Sequence, residues 1–512
     1  MEDLRAARDL ISPNMYMATL DLKDAYFLVP MCKNSRKYLR FRFDGILYQF
    51  TCLPFGLSTS PYIFTKIMKP VMNNIRLNGW LSLVYLDDLL CISDTYESCK
   101  NNIKNIITFI EKLGFIINYK KSHTNPSKRC KYLGFFLDSE KYSVDLPDDK
   151  KNQIIKFLSH FKVGNQYKIR LFAQLLGVLV AASHAVQYSK IYCKRLERAK
   201  WLALTVNNDD FEGYMKITDY VKEDLTWWHI NVLTGSNPIR TKKYKIIISS
   251  DASRSGWGAE SNSITTRGFW SQDDKKFHIN YLELLAAFFG LKCFASKLSN
   301  CEILMRIDNT TAISYINKAG GVKFPHLSEL ARKIWQWCES RKIWIVASYI
   351  ASKDNVDADT ASRDTNLDTE WELAGKYFKQ IVKKFGTCSI DLFASRINTK
   401  CKTFCSRYPD PEASVVDAFT ISWEKEHFYA FPPFAVILPV LRKIINDKAT
   451  GIVVVPNWPT QAWYPMFTSL LCESPIILEP STDLLLSPCR SRIHPLSHKL
   501  SLVVGKLSGR RT

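Results

Sequence analysis

Short apolar runs broken by Gly, Pro and Asp dominate residues 1 to about 140, among them Met17-Ala18-Thr19-Leu20, Leu47-Tyr48-Gln49-Phe50 and Leu81-Ser82-Leu83-Val84-Tyr85. Their length and bounds predict strands, with helices packed on the sheet they form. From about 145 to 235 the period lengthens, and in Lys168-Ile169-Arg170-Leu171-Phe172-Ala173-Gln174-Leu175-Leu176 apolar residues recur at three and four, predicting a helical connector. A second β-rich stretch opens at Tyr244-Lys245-Ile246-Ile247-Ile248. It gives way to helices at about 280 to 297 and 325 to 340 and closes near Arg363, the outline of a compact α/β unit. Beyond the polar run Asp364-Thr365-Asn366-Leu367-Asp368 lies a fourth region rich in Pro and aromatics, where Gly451-Ile452-Val453-Val454-Val455-Pro456 predicts a buried strand.

Composition fits that outline. The 512 residues allow three or four domains of roughly 150 each. A chain that is 46% hydrophobic and 23% charged is folded rather than disordered. Lys and Arg number 70 against 49 Asp and Glu, a formal charge of +21 that attracts polyanions such as nucleic acid and equally serves solubility. The fourteen cysteines are scattered, and the pair Cys401 and Cys405 has no second Cys/His pair at zinc-site spacing, so reduced core thiols are expected. No signal peptide opens the chain and no apolar run nears the roughly 18 residues of a membrane helix, which predicts a soluble, intracellular protein.

In Leu83-Val84-Tyr85-Leu86-Asp87-Asp88-Leu89-Leu90-Cys91-Ile92 two adjacent acids interrupt an apolar hairpin. Buried carboxylates are costly and neighbouring ones repel, so the pair needs water or a divalent cation. Alone, it equally fits a solvated turn. Asp21 adds a third acid after another short apolar strand. Leu20-Asp21-Leu22-Lys23-Asp24-Ala25-Tyr26 resembles motif A of reverse transcriptases and Tyr85-Leu86-Asp87-Asp88 their motif C. Between them, Leu53-Pro54-Phe55-Gly56-Leu57-Ser58-Thr59-Ser60-Pro61 resembles motif B. Leu113-Gly114-Phe115 with Lys120-Lys121-Ser122 resembles the next motif, and Tyr132-Leu133-Gly134 the primer grip.

The resemblance implies two Mg²⁺ ions about 4 Å apart, replaceable by Mn²⁺, with Asp21 and Asp87 as principal ligands and Asp88 assisting. It implies a nucleotide site at Asp24, Ala25, Tyr26, Phe55 and Gly56. Tyr26 would exclude a 2′-hydroxyl, and Phe55 with Gly56 would floor the incoming nucleotide.

Further acids follow the same logic. Asp251 ends Lys245-Ile246-Ile247-Ile248-Ser249-Ser250 ahead of the return strand Gly256-Trp257-Gly258-Ala259, and Glu283 lies in the apolar helix Tyr281-Leu282-Glu283-Leu284-Leu285-Ala286-Ala287. Asp308 ends Ile303-Leu304-Met305-Arg306-Ile307, leaving Asn309 to cap the next helix. Singly, each also fits a turn or cap. With Ser352-Lys353-Asp354-Asn355-Val356-Asp357-Ala358-Asp359-Thr360-Ala361-Ser362-Arg363 they resemble ribonuclease H. By that resemblance Asp251, Glu283, Asp308 and Asp359 (rather than Asp357) hold two Mg²⁺ ions that cut the RNA of a hybrid, with contacts to the 2′-hydroxyl giving selectivity. Ser352 stands where the family has Gly, and Tyr349 where His is common.

The tail contains Ile390-Asp391-Leu392-Phe393-Ala394-Ser395-Arg396, Phe431-Pro432-Pro433-Phe434 and Asn457-Trp458-Pro459, and it resembles the region that follows ribonuclease H in DIRS-type retrotransposons. Phe431-Pro432-Pro433-Phe434 is also similar to an adenine amino-methyltransferase pattern, but Phe431 cannot accept the hydrogen bond that the family's Asn or Asp accepts. A structural aromatic-Pro turn is the simpler reading.

The expected architecture is α+β and multidomain. Partial reverse transcriptase fingers and palm occupy 1–140, a helical thumb and connection 141–240, a ribonuclease H-like α/β domain 241–365, and a divergent, weakly methyltransferase-like α/β region 366–512. RNA template, DNA primer, RNA–DNA hybrid and dNTPs are the implied partners. Only 20 residues precede Asp21, too few for the family's upstream Lys/Arg-bearing fingers hairpin. The chain is therefore expected to be N-terminally truncated, and a nucleic-acid-binding relic with impaired turnover is the alternative to a working polymerase.

Overall fold

The computed structural model describes residues 2–363, 371–488, 490 and 492–510. The polar run Asp364–Asp368 and the boundary expected at 365/366 lie outside the described residues. The architecture is mixed α/β and multidomain, and the chain divides into two units, Met1–Lys243 and Tyr244–Thr512.

The first unit is organised by a four-stranded antiparallel sheet. Its strands are β1 (Tyr16–Asp21), β4 (Ser82–Tyr85), β5 (Asp88–Ser93) and β6 (His123–Ser127), in the order β4-β5-β1-β6. Alternation decides what faces what. Ala18, Leu20, Leu89 and Cys91 point to one face, where they pack with Phe64, Met68 and Ile75 of helix α1 (Ser60–Leu77) and Ile103, Ile106 and Ile110 of helix α2 (Tyr96–Lys112). Thr95 caps α2, its hydroxyl accepting from the Ser98 N–H at 3.2 Å. The expected strand around Leu47 is present in the hairpin β2 (Arg40–Phe43) and β3 (Ile46–Gln49), but both faces of this ribbon are exposed.

A second sheet joins β7 (Arg129–Tyr132), β8 (Phe135–Asp138), β9 (Ser143–Asp145) and β10 (Ser236–Pro238) in the order β10-β9-β8-β7. Residue 140 lies in the turn between β8 and β9. The helical stretch is present as α3 (Asp148–Leu158), α4 (Ile169–Ala182), α5 (Ile191–Val206) and α6 (Lys222–Asn231). Phe172, Leu175, Leu176 and Leu179 form the buried stripe of α4.

The second unit opens with a five-stranded sheet of β11 (Ile246–Ala252), β12 (Gly256–Ser261), β13 (Ile264–Phe269), β14 (Glu302–Ile307) and β15 (Trp344–Tyr349), ordered β13-β12-β11-β14-β15. Helix α7 (Ile279–Ala295) is buried from Leu282 to Leu291, so it is a core helix rather than an amphipathic surface one. Helices α8 (Thr310–Asn317), α9 (Pro325–Glu339) and α10 (Val356–Arg363) complete this body.

The remainder forms a seven-stranded sheet of β16 (Ile390–Asp391), β17 (Thr403–Ser406), β18 (Val415–Val416), β19 (His427–Ala430), β20 (Thr450–Pro456), β21 (Ile476–Leu478) and β22 (Leu502–Ser508), ordered β18-β17-β16-β19-β20-β22-β21. The first five strands in that order are parallel and β22 is antiparallel to both its neighbours. The expected strand at 451–456 is its buried centre.

No disulfide links the thirteen cysteines described. Most are buried or half-buried as expected, while Cys32 and Cys472 are exposed. Among the described residues no helix is long and apolar enough to cross a membrane.

Candidate active sites

Antiparallel pairing of β1 with β5 sets Asp21 directly opposite Asp88, while the two-residue connection from Tyr85 to Asp88 places Asp87 at the hairpin tip. Leu86 adopts φ +55° there, a left-handed conformation that costs a leucine about 1 kcal/mol. The turn is tied back to the strand end by the Leu22 N–H, which donates to the Asp87 carbonyl at 2.9 Å.

The segment after α2 holds Asp21. Asn118 Nδ2 donates to Asp21 Oδ1 at 2.8 Å, and the Asp21 N–H donates to Ser122 Oγ at 3.0 Å. Burial, then the charges of Asp87 and Asp21, push the Asp88 carboxyl up to about 6, with Lys121 opposing them. A carboxyl raised by burial beside two acidic neighbours is the condition a divalent cation relieves.

The expected nucleotide residues converge beside them. Asp24 is exposed with φ +51°, and it leads into a short turn whose Ala25 and Tyr26 are buried. The Tyr26 ring lies 5.1 Å from that of Phe55 and 5.4 Å from Phe64, and Phe55 is 63% exposed, so it can offer a surface to a ligand. Gly56 follows at φ +87°, a conformation that favours glycine. Burial and then Asp87 and Tyr85 raise the Tyr26 phenol, keeping it a neutral hydroxyl.

Tyr132, Leu133 and Gly134 form the β7–β8 turn, with φ +47° at Leu133 and +78° at Gly134. Lys150 Nζ donates to the Gly134 carbonyl at 3.0 Å. The buried Tyr132 hydroxyl has no hydrogen-bond partner among the described residues.

In the second unit, Asp251 on central β11, Glu283 on α7 and Asp308 just past β14 offer ligand atoms that all lie within 4.8 Å of one another, the one such trio among the described residues. Burial first, then Asp251 and Asp308, raise the Glu283 carboxyl to about 9, and burial likewise raises Asp251. Glu283 Oε2 is buried with no hydrogen-bond partner among the described residues. A hard cation with oxygen ligands fits this donor set, because it satisfies the orphaned oxygen and neutralises the repulsion.

Asp359 lies outside the trio. Its charge reaches both Asp251 and Glu283, and its carboxylate pairs with Arg363 at 2.7 Å, while Asp357 is exposed. Asn309 caps α8 as expected, its Oδ1 accepting from the Ala312 N–H at 2.9 Å.

Several supporting roles escaped the sequence reading. Asn118 and Ser122 hold Asp21, Ser352 Oγ donates to Asp308 Oδ2 at 2.8 Å, Ser362 Oγ lies 2.6 Å from Asp251 Oδ2, and Asn355 Nδ2 donates to the Ser250 carbonyl. Ser352, Asn355 and Ser362 stand in the very run read for Asp359. Polar spacing around a ligand acid was the available signal.

Residues 2–137 match the family model described as "Reverse transcriptase (RNA-dependent DNA polymerase)". The putative enzymatic polyprotein of Cassava vein mosaic virus is 27% identical over 376 residues, covering 69% of this chain and 54% of the relative. The enzymatic polyprotein of Figwort mosaic virus (strain DxS) is 26% identical over 375 residues, covering 70% and 52%. The chain thus carries a reverse transcriptase domain like that of retroelement polyproteins, and spans about half the length of these curated relatives. Among solved structures, the foamy viral protease-reverse transcriptase in complex with RNA/DNA hybrid aligns with TM-score 0.40 at 18% identity, over 65% of this chain and 44% of that one.

Proposed function

We propose that this chain copies RNA into DNA through Asp21, Asp87 and Asp88 and cuts the RNA strand of the resulting hybrid through Asp251, Glu283, Asp308 and Asp359. The observation that carries the reading is the pairing of Asp21 with Asp88 across β1 and β5, with Asp87 at the adjoining turn, inside the stretch that matches reverse transcriptases. The trio with the orphaned Glu283 oxygen supports the second activity.

Two Mg²⁺ ions at each site, or Mn²⁺ in their place, would supply the positive charge that makes a hydroxyl nucleophilic and stabilises the leaving oxygen. The chain's own groups do the rest. Asn118 orients Asp21. Tyr26 backed by Phe55 and Phe64 excludes a ribose 2′-hydroxyl, and Phe55 with Gly56 underlies the base of a dNTP. The Tyr132–Gly134 turn steers the primer, and Asp359 completes the hybrid-cutting site. An RNA template, a DNA primer and their hybrid are the macromolecular substrates, in keeping with the net charge of +21.

The domain reading follows: palm and partial fingers, helical thumb and connection, ribonuclease H-like body, and a C-terminal region of DIRS-type affinity. The mostly parallel seven-stranded sheet supports methyltransferase-like ancestry for that last region. Phe431 follows β19 at a strand end that flanks the reversal of strand order between β16 and β19, where such sheets bind ligands. A phenyl ring there offers no acceptor for a target amino group.

The test is primer extension on an RNA template with Mg²⁺, run beside cleavage of an RNA–DNA hybrid. Asp87→Asn should lose extension by about a hundredfold or more and keep cleavage, and Asp251→Asn should do the reverse, since each removes several kcal/mol of charge stabilisation from one site only. Signals equal to wild type in both variants would sink both assignments.

A further inference from the structure

We infer that Ser362 is a positioning residue that fixes the Asp251 carboxylate for cation binding, an inference that rests on reading Asp251, Glu283 and Asp308 as a divalent-cation site. Ser362 is 1% exposed, and its Oγ lies 2.6 Å from Asp251 Oδ2, a length typical of a hydroxyl donating to a charged carboxylate. The bond occupies one carboxylate oxygen. A carboxylate oxygen of the same Asp251 lies within 4.8 Å of the ligand atoms of Glu283 and Asp308.

The hydroxyl is held in place from several sides. At one end of α10, Asn355 Nδ2 donates to the Ser250 carbonyl, the residue before Asp251, at 3.2 Å. At the other end Ser253 Oγ donates to the Ser362 carbonyl at 2.7 Å. Between them α10 lies directly on β12, where a Cβ at Gly258 would collide with the Ala358 carbonyl oxygen and come within 2.5 Å of the Ser362 nitrogen. The helix is therefore pressed onto the strand that pairs with β11, and its last turn cannot drift from Asp251. Ser352, just before α10, holds Asp308 in the same way, but from an exposed position.

A competing role exists on the same atom. Ser362 Oγ also lies 2.8 Å from the Asp359 carbonyl, and serine in a helix often bonds back to the preceding turn. In that role the hydroxyl would serve only the helix, and its removal would leave cation binding unchanged. Partners behind metal ligands typically contribute about ten- to a hundredfold to metal affinity or activity, so the two roles are separable.

The experiment measures Mn²⁺ binding to the full chain by electron paramagnetic resonance, for wild type, Asp251→Asn, Ser362→Ala and Ser362→Thr, with Mg²⁺ titrations of hybrid cleavage alongside. Asp251→Asn should lose the site, Ser362→Ala should weaken Mn²⁺ about tenfold and raise the half-saturating Mg²⁺ by a similar factor, and Ser362→Thr, which keeps the hydroxyl, should restore both. Wild-type Mn²⁺ affinity in Ser362→Ala would overturn the inference. Equal losses in the alanine and threonine variants would place the defect in packing and overturn it too. Unchanged Mn²⁺ binding in Asp251→Asn would instead bring down the cation site itself.

Discussion

Glu283 is a buried carboxyl on an apolar helix, and its own energetics can be followed through pH. An ordinary glutamate titrates near 4.5, whereas burial and the charges of Asp251 and Asp308 raise this one to about 9. Between those values the folded chain holds a proton that the unfolded chain has released. Stability therefore falls as pH rises through that window, and is unaffected by this group below it. In metal-free buffer Glu283→Gln should melt at a higher temperature than wild type at pH 8, with the gain vanishing near pH 4, as differential scanning fluorimetry across pH would show. Added Mg²⁺ should then stabilise wild type more than the variant, because only the carboxylate gains a partner.

Tyr26 makes a second argument at this scale. Its ring is clamped between Phe55 and Phe64 rather than free to swing. Tyr26→Val should therefore admit ribonucleotides, raising their incorporation relative to deoxynucleotides by about tenfold or more, since a lost steric contact is worth roughly 1–3 kcal/mol. Gel analysis of single-nucleotide extension would read it, and unchanged selectivity would leave Tyr26 as a core aromatic.

Elements explain why some of these residues were legible and others were not. Asp21, Asp87 and Asp88 are each adjacent to a run of apolar strand residues, so a local pattern marks them, and the pairing of β1 with β5 merely joins what the sequence already displayed. Asn118 and Ser122 reach Asp21 across about a hundred residues, and no local period announces a contact of that span. The strand at Ile46–Gln49 was legible from its short bounded apolar run, but its exposure was not, because such a run does not say what covers either face.

Gly256-Trp257-Gly258 shows the same limit. The run is recognisable as a return strand, yet the reason for Gly258 is the approach of α10, a helix a hundred residues later, while a Cβ at Gly256 would meet the Gly268 carbonyl of β13 first. Gly258→Ala should thus push α10 off β12 at a cost of about 1–3 kcal/mol, the usual range for overpacking. Hybrid cleavage should drop with it while primer extension stays at the wild-type level. A variant with normal cleavage would show that the slot tolerates a methyl group.

For the molecule as a whole, the fourth region was visible as a separate composition, but its sheet was not, because strands as short as Ile390–Asp391 and Val415–Val416 fall below any detectable period. Nor did any local pattern announce that this region clasps the α/β body before it. Arg396, on the loop after β16, donates through Nη2 to the Phe269 carbonyl and to Asp274 Oδ2, both at 3.1 Å, and its guanidinium lies 4.7 Å from the centre of the Phe289 ring on α7. Thr266 adds a hydrogen bond to the Pro409 carbonyl. Arg396 and Asp274 retain only 12% and 17% side-chain exposure, so removing the arginine leaves a mostly buried carboxylate with its Ser271 N–H and hydroxyl partners but no cation, and uncovers an aromatic face.

Because Phe289 and Glu283 share α7, the clasp braces the helix that carries the orphaned carboxylate. Arg396→Ala should lower the stability of residues 244–512 by about 2–4 kcal/mol, slightly below the range for breaking a fully buried pair. It should weaken hybrid cleavage and leave extension through Asp87 intact. Arg396→Lys keeps the charge but loses the planar stacking and part of the fork, so it should fall between the two. If cleavage and thermal unfolding of the alanine variant matched wild type, the C-terminal region would be a passenger on the α/β body rather than part of what holds the proposed hybrid-cutting site in shape.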